Sequence, residues 1–224
     1  AKESTRDKVY ALLRAAILNG RLTSGERLKE IPLAAELGVS RSVLREAMQQ
    51  LAHEGLVELN SYRGARVILL RPAQIDEIVE ARLLLETRAV RLANERISDA
   101  EREELYAFDR QLTREEDPVH FGQLDFRLHQ RIWRIAGNAT IEKLLLQVTA
   151  PLFAMSLLMR TAEKGAAAKA PRGGHHALVE AICRGTPARA AHELEKHLTE
   201  NWTMVRRRVA EFLAAHEARH PQSD

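Results

Sequence analysis

Strand-forming signals in this 224-residue chain end near residue 70. Up to that point helical and β-prone stretches follow one another. Beyond Arg71-Pro72 every periodic stretch repeats its apolar residues at helical spacing, and no strand signal appears. Such a chain must fold as a small α+β head, residues 1–70, followed by a helical body, residues 71–224, so the expected fold class is mainly α. In the body the pattern predicts helices over about 74–96, 99–115, 118–136, 139–162, 174–184 and 187–216. The breaks fall at Ile97-Ser98, Asp117-Pro118, Gly137-Asn138, "KGAAAKAPRGG" and Gly185-Thr186-Pro187. About six helices on short connections are expected to form an antiparallel bundle. The Ala/Gly/Lys-rich loop at 164–174 is the exception, a candidate lid.

In the head, Val9, Leu12, Leu13, Ala16 and Ile17 recur at helical spacing over residues 5–19. A short helix is expected over Glu30–Leu37, stopped by Gly38. Ser40 is a good N-cap for a third helix running to about His53. The runs "LVEL" and "ARVILL" around "NSYRG" then read as a hairpin. Helix, Gly-containing turn, helix and hairpin is the order of a winged helix-turn-helix.

The third helix has two unlike faces. Leu44, Ala47, Met48 and Leu51 form an apolar stripe, while Arg41, Arg45 and Gln49 recur on the other side. Guanidinium and amide groups there suit base edges and phosphates. Ser40 and Ser42 at the helix start suit a phosphate, and Arg63 and Gly64 fall at the hairpin tip. Charge is distributed accordingly: residues 1–70 hold 11 Lys+Arg against 8 Asp+Glu, and residues 71–224 hold 23 against 23. The excess lies in the part that would meet a polyanion.

No uninterrupted run of 18 apolar residues and no charged-then-apolar leader occurs, so neither a membrane span nor secretion is expected. A single Cys183 forms no intrachain disulfide, which suits a cytoplasmic setting.

Nine histidines remain to be placed. His129 follows Asp125 by one helical turn, on a face continued by Ile132, Trp133 and Ala136. That pair alone leaves a salt bridge, a catalytic dyad and half of a metal cage equally open. His175 shares the inward stripe of Leu178, Val179 and Ile182, and His197 that of Leu194, Leu198 and Asn201. His176 and His192 point elsewhere, and His216 and His220 read as a solvated tail. Three inward histidines and a carboxylate are expensive in a bundle interior unless something satisfies them. A divalent ion does so, and this donor set suits zinc, nickel, iron or manganese.

The stretch "GERLKEIPLAAELGVSRSVLREAMQQLAHEGLVELNSYRGARV" resembles the DNA-binding domain of the GntR family of bacterial transcription regulators. The shared elements are G-x-R-L, L-A-x-x-L-G-V-S-R, the R-E-A stretch and E-G-L-V. The resemblance implies DNA contacts at Arg27, Ser40, Arg41, Ser42 and Arg45, with Arg63 and Gly64 in the wing. Val43 and Thr23-Ser24 depart from the family at positions where proline is usual; there it helps but is not required.

The segments "VEARLLLETRAVRLA", "DFRLHQRIWRIAGN" and "HHALVEAICRGTPARAAHELEKHL" are similar to the FCD effector domain of the FadR-type branch of that family. The likeness implies a metal held by Asp125, His129, His175 and His197, with zinc the first expectation. Leu194 stands where methionine is common. Arg82 matches an arginine that faces the effector cavity, although an i+4 salt bridge to Glu86 competes for it. Asn201, on the His197 face, is expected to contact the effector beside Arg82. The function implied is that of a homodimeric repressor on a palindromic operator, controlled by a small organic acid bound at the metal. Rival readings are a metal-dependent hydrolase, a purely structural metal and a long-chain acyl-CoA sensor. The hydrolase lacks a His-Glu-x-x-His type general base, and the three histidines argue against the acyl-CoA pocket.

Overall fold

The computed structural model describes residues 4–19, 21–60, 64–162 and 175–219. Contacts divide the chain into two units, one of residues 1–70 with 150–164 and one of residues 71–149 with 165–224.

The first unit starts with α1 (Thr5–Leu18), capped by Ser4, whose hydroxyl accepts from the Asp7 amide. Val9, Leu13 and Ile17 bury its inner face. The pair α2 (Glu30–Glu36) and α3 (Arg41–His53) is joined by a turn in which Gly38 adopts φ +63°, a left-handed conformation disfavoured for any side chain. Ser40 caps α3 as its position promised: its Oγ accepts from the Val43 amide at 3.3 Å. A bond from Tyr10 Oη to Glu54 and an ion pair from Arg14 Nε to Glu54 at 3.1 Å tie α1 to the end of α3.

Among the described residues three strands complete the head: β1 (Arg27–Leu28), β2 (Val57–Asn60) and β3 (Gly64–Val67), antiparallel in the order β1-β3-β2. The short β1 lies in "RLTSGERL", a stretch that reads from its sequence as a turn. The fold is thus a winged helix-turn-helix followed by a helical body.

That body comprises α4 (Pro72–Arg96), α5 (Asp99–Arg114), α6 (Pro118–Ile135), α7 (Ala139–Ala162), α8 (His176–Arg184) and α9 (Pro187–Arg219). Starts are set by local chemistry. Pro72 and Pro118 occupy first-turn positions where no amide partner is needed, Ser98 and Glu101 form a capping box, and Asp117 accepts from two amides. α4 packs along α9, α6 and α8, and α5 against α6 and α8. Leu105, Leu128, Ile132, Trp133, Val179, Ile182 and Leu194 lie at the centre of the core.

Two expectations change. First, α7 was assigned whole to the body, but its second half groups with the head. Gly55, at φ +73°, sits where an added Cβ would lie 2.5 Å from the backbone of Ala150 and Pro151. Pro151, inside the helix, has no amide hydrogen to give. Second, Ala139–Arg160 is long and apolar enough to cross a membrane by length and composition, with a mean hydropathy of 1.4. It breaks no run of 18, because isolated polar residues interrupt it. Leu145, Thr149, Met155 and Met159 are buried along it, and 39% of its apolar window is buried. The 164–174 loop lies outside the described residues.

Candidate metal centre and nucleic-acid interface

In the second unit, α6 presents Asp125 and His129 one turn apart, α9 presents His197, and His175 stands immediately before α8. His175 occupies the N-cap of α8 instead of its first turn, because the helix begins one residue later. One donor atom from each of the four lies within 4.8 Å of the others. All three imidazoles are buried and Asp125 is partly so. His175 Nε2 is 2.7 Å from Asp125 Oδ1, and His129 Nε2 is 3.6 Å from the same oxygen. The rings of His175 and His197 have centroids 4.6 Å apart, and those of His129 and His197 are 5.6 Å apart.

The donor set fits a divalent ion. Ligands about 2.0–2.2 Å from one metal are at most about 4.4 Å apart, so the observed spacing needs only a small contraction. Burial alone pushes the Asp125 carboxyl up, but the hydrogen bond and charge of His175, then the charges of His129 and His197, hold it well below the usual carboxylate range.

Behind His129 lies a group that sequence periodicity did not reveal. Glu86, fully buried on α4, is 2.9 Å from His129 Nδ1 through Oε2, and Arg82 Nε donates to Oε1 at 2.6 Å. Trp133 Nε1 donates to Oε2 at 3.3 Å. Desolvation pushes Glu86 up, yet Arg82 first and His129 second keep its carboxyl at about 2. The anion accepts Nδ1–H of His129 and so turns Nε2 toward Asp125. Arg82, expected at the effector, is paired with Glu86 one helical turn on. Only that sequence-local half of the network was visible. Asn201 Nδ2 lies 3.1 Å from His197 Nε2.

In the first unit, Arg41, Ser42, Arg45 and Gln49 are exposed on α3, opposite buried Leu44, Ala47, Met48 and Leu51. Arg45 Nε donates to Glu30 Oε2 at 2.8 Å, and Arg41 lies 3.5 Å from the same oxygen. Glu30, at the start of α2, thus gathers two of the expected DNA contacts. Ser40 is exposed, with its hydroxyl oxygen used as the cap. In the sheet, Arg27 stands directly opposite Arg66, and Arg66 opposite Glu58. Arg66 was not singled out from the sequence, since only strand register sets it beside Arg27. Like charges directly opposite are unfavourable unless an anion neutralises them. Gly64 starts β3 at φ +78°, and Arg63 lies outside the described residues.

A winged helix-turn-helix joined to a helical body with a buried histidine-carboxylate cluster defines a class, that of two-domain DNA-binding regulators. Residues 5–67 match the family described as bacterial regulatory proteins, gntR family, and residues 77–200 match the FCD domain. The chain belongs to the GntR family, in its FCD-bearing, FadR-type branch. It is 34% identical over 143 residues to the HTH-type transcriptional regulator YdhC of Bacillus subtilis, covering 61% of this chain and 62% of that protein. It is 46% identical over 87 residues to the gluconate operon transcriptional repressor of the same species, covering 39% of this chain and 35% of that one. These matches span less than two thirds of either relative. A GntR-family transcriptional regulator from Pseudomonas syringae superposes with a TM-score of 0.55 at 25% identity, over 95% of this chain and 87% of its own.

Proposed function

We propose that the protein is a homodimeric transcriptional repressor whose affinity for a palindromic operator is set by a small organic acid, bound at a metal ion in the helical domain. The observation that carries this reading is the buried meeting of Asp125, His129, His175 and His197 in a chain whose head exposes Arg41 and Arg45 on one helix face. Arg41, Ser42 and Arg45 of α3 read base edges and phosphates in the major groove, Ser40 supports the start of that helix, and Arg27, Arg63 and Gly64 meet the backbone from the wing. Repression is favoured by the relative described as an operon repressor. A protein that reads chromosomal DNA works in the cytoplasm.

Asp125, His129, His175 and His197 hold the ion, with zinc first among the candidates because nitrogen and oxygen donors in a four-ligand site suit it. When bound, the ion would supply positive charge to an anionic ligand, and a coordination number above four would leave that ligand a position. Around it, Glu86 fixes the ring of His129, Arg82 balances Glu86 and lends the site positive charge, and Asn201 orients His197 and the ligand. A ligand that binds one arrangement of the heads better than another shifts the population between DNA-bound and free forms.

The test is selection of bound sequences from a random duplex library, followed by anisotropy titrations with and without a panel of small carboxylates. Enrichment of a two-fold symmetric site, with affinity changed by one carboxylate, is the expected result. No enriched sequence, or enrichment of an asymmetric one, overturns the regulator reading.

A further inference from the structure

The outer face of the head's sheet gathers positive charge that no carboxylate neutralises. Arg27 of β1 stands directly opposite Arg66 of β3. Both side chains therefore leave the same face of the sheet, away from the buried Leu28, Ala65 and Val67. Lys29 follows Arg27 by two residues on extended backbone, φ −79° and ψ 112°, and alternation returns it to that face. All three cations are exposed. The ion pairs of the head engage Arg6, Arg14, Arg41 and Arg45, and among the described residues none engages Arg27, Lys29 or Arg66. Glu58 stands opposite Arg66 on its other side, yet these two form none either. Gly64, two residues before Arg66, adds no side chain to the face: a Cβ there would meet only the Leu28 carbonyl oxygen, at 4.0 Å.

Two guanidinium groups side by side repel unless an anion sits between them. We infer that Arg27 and Arg66 close on one phosphate of duplex DNA, with Lys29 flanking them. The sheet is then a sequence-independent contact in addition to the base-reading helix α3. Guanidinium forks take phosphate oxygens in pairs, and the Lys29 ammonium adds a point charge. Two residues of strand separate Lys29 from Arg27 by about 7 Å, a spread that suits a polymer charged at every step better than one small anion. Gly64 leaves room for the sugar-phosphate chain to run close to the strand. Resemblance to the family implied Arg27 and Gly64, whereas Arg66 and Lys29 follow from strand register and the absence of an ion-pair partner. The inference rests on the DNA-binding reading and divides its energy: α3 specifies sequence, and the sheet supplies salt-sensitive affinity for any duplex.

Full-length R66A, K29A and the R66A/K29A double variant test it against wild type. Anisotropy titrations use one selected operator and one unrelated duplex, from about 50 to 200 mM salt. The plot of log affinity against log salt concentration should lose about 0.9 in slope for each cation removed, equally on both duplexes. R66K keeps the charge and should keep the slope, which separates lost charge from a disturbed strand. An unchanged slope in the double variant, a loss confined to the operator, or R66K behaving as R66A overturns the inference. A wild type that binds no duplex overturns the regulator reading as well, whereas a wild type that binds with a slope the variants do not move overturns this inference alone.

Discussion

Glu86 Oε2 lies 2.9 Å from His129 Nδ1, joining two residues 43 positions apart in a fully buried contact. The carboxylate is shared: Arg82 donates to its other oxygen at 2.6 Å and Trp133 to Oε2. It orients a ring whose other nitrogen faces Asp125, and its charge is balanced without exposure to water. Glu86→Gln keeps the shape but removes the anion, leaving the Arg82 guanidinium uncompensated. Metal affinity, measured by competition with a chromophoric chelator, should fall about 10–100-fold. A merely structural role would lower the unfolding temperature of metal-free protein and leave that affinity ratio unchanged.

Glu30 restrains Arg45 and Arg41, whose side chains are each 58% exposed. Arg45→Ala should weaken operator binding by about 1–3 kcal/mol while leaving the oligomeric mass unchanged. Glu30→Gln should act in the opposite direction, since an exposed pair is worth at most about 1 kcal/mol and its loss frees both arginines for DNA. Anisotropy titrations on one operator at fixed salt read both. Tightening by Arg45→Ala, or weakening by Glu30→Gln, would show that α3 does not carry recognition.

Removing the metal should loosen the helical domain. An ion present at a hundredfold excess over its dissociation constant stabilises the folded state by about 2.7 kcal/mol. For a chain of this length that corresponds to roughly 5–10 °C in unfolding temperature. Calorimetry with and without chelator should show the shift, and carboxylate affinity should fall with it. Equal affinity in metal-free protein would separate the effector from the ion.

Much of this fold was legible because caps and breakers are local. Ser40, Ser98 and Pro118 mark helix starts by their own chemistry, and the observed ends lie within a few residues of the expected ones. What escaped depends on distant partners. A two-residue strand such as Arg27–Leu28 has no period to detect, and it exists only because β3 pairs with it. Glu86 showed its i+4 relation to Arg82, but nothing near it announces His129. The division of α7 was hidden for a similar reason: its apolar pattern runs unbroken through Pro151, while the partner of its second half is Gly55, far away in sequence.

Gly55 is constrained twice over. Its φ of +73° is unfavourable for any side chain, and a Cβ would meet the backbone of Ala150 and Pro151, which cannot move aside as a side chain can. The left-handed conformation costs about 1–2 kcal/mol and overpacking a further 1–3 kcal/mol or so. Gly55→Ala should therefore lower the urea midpoint markedly, whereas Gly38→Ala, with nothing within 4 Å, should show only the conformational part. Equal effects of the two would remove the packing argument.

Cys183 carries a pH dependence of definite sign. The residue is buried, and burial pushes its thiol from 9.0 up to about 11, against the opposing charge of Arg102. Below pH 9 the thiol is protonated whether the chain is folded or not, so it makes stability independent of pH there. Between about 9 and 11 the unfolded chain loses the proton while the folded one retains it, and stability falls as pH rises. Urea midpoints of the wild type should drop across this window more than those of Cys183→Ala. At pH 8 iodoacetamide should label the native thiol far more slowly than the thiol in urea, because both access and the thiolate fraction are suppressed. Equal labelling in the two states would mean that Cys183 is reached without unfolding, and the predicted difference between the two midpoint series would then vanish as well.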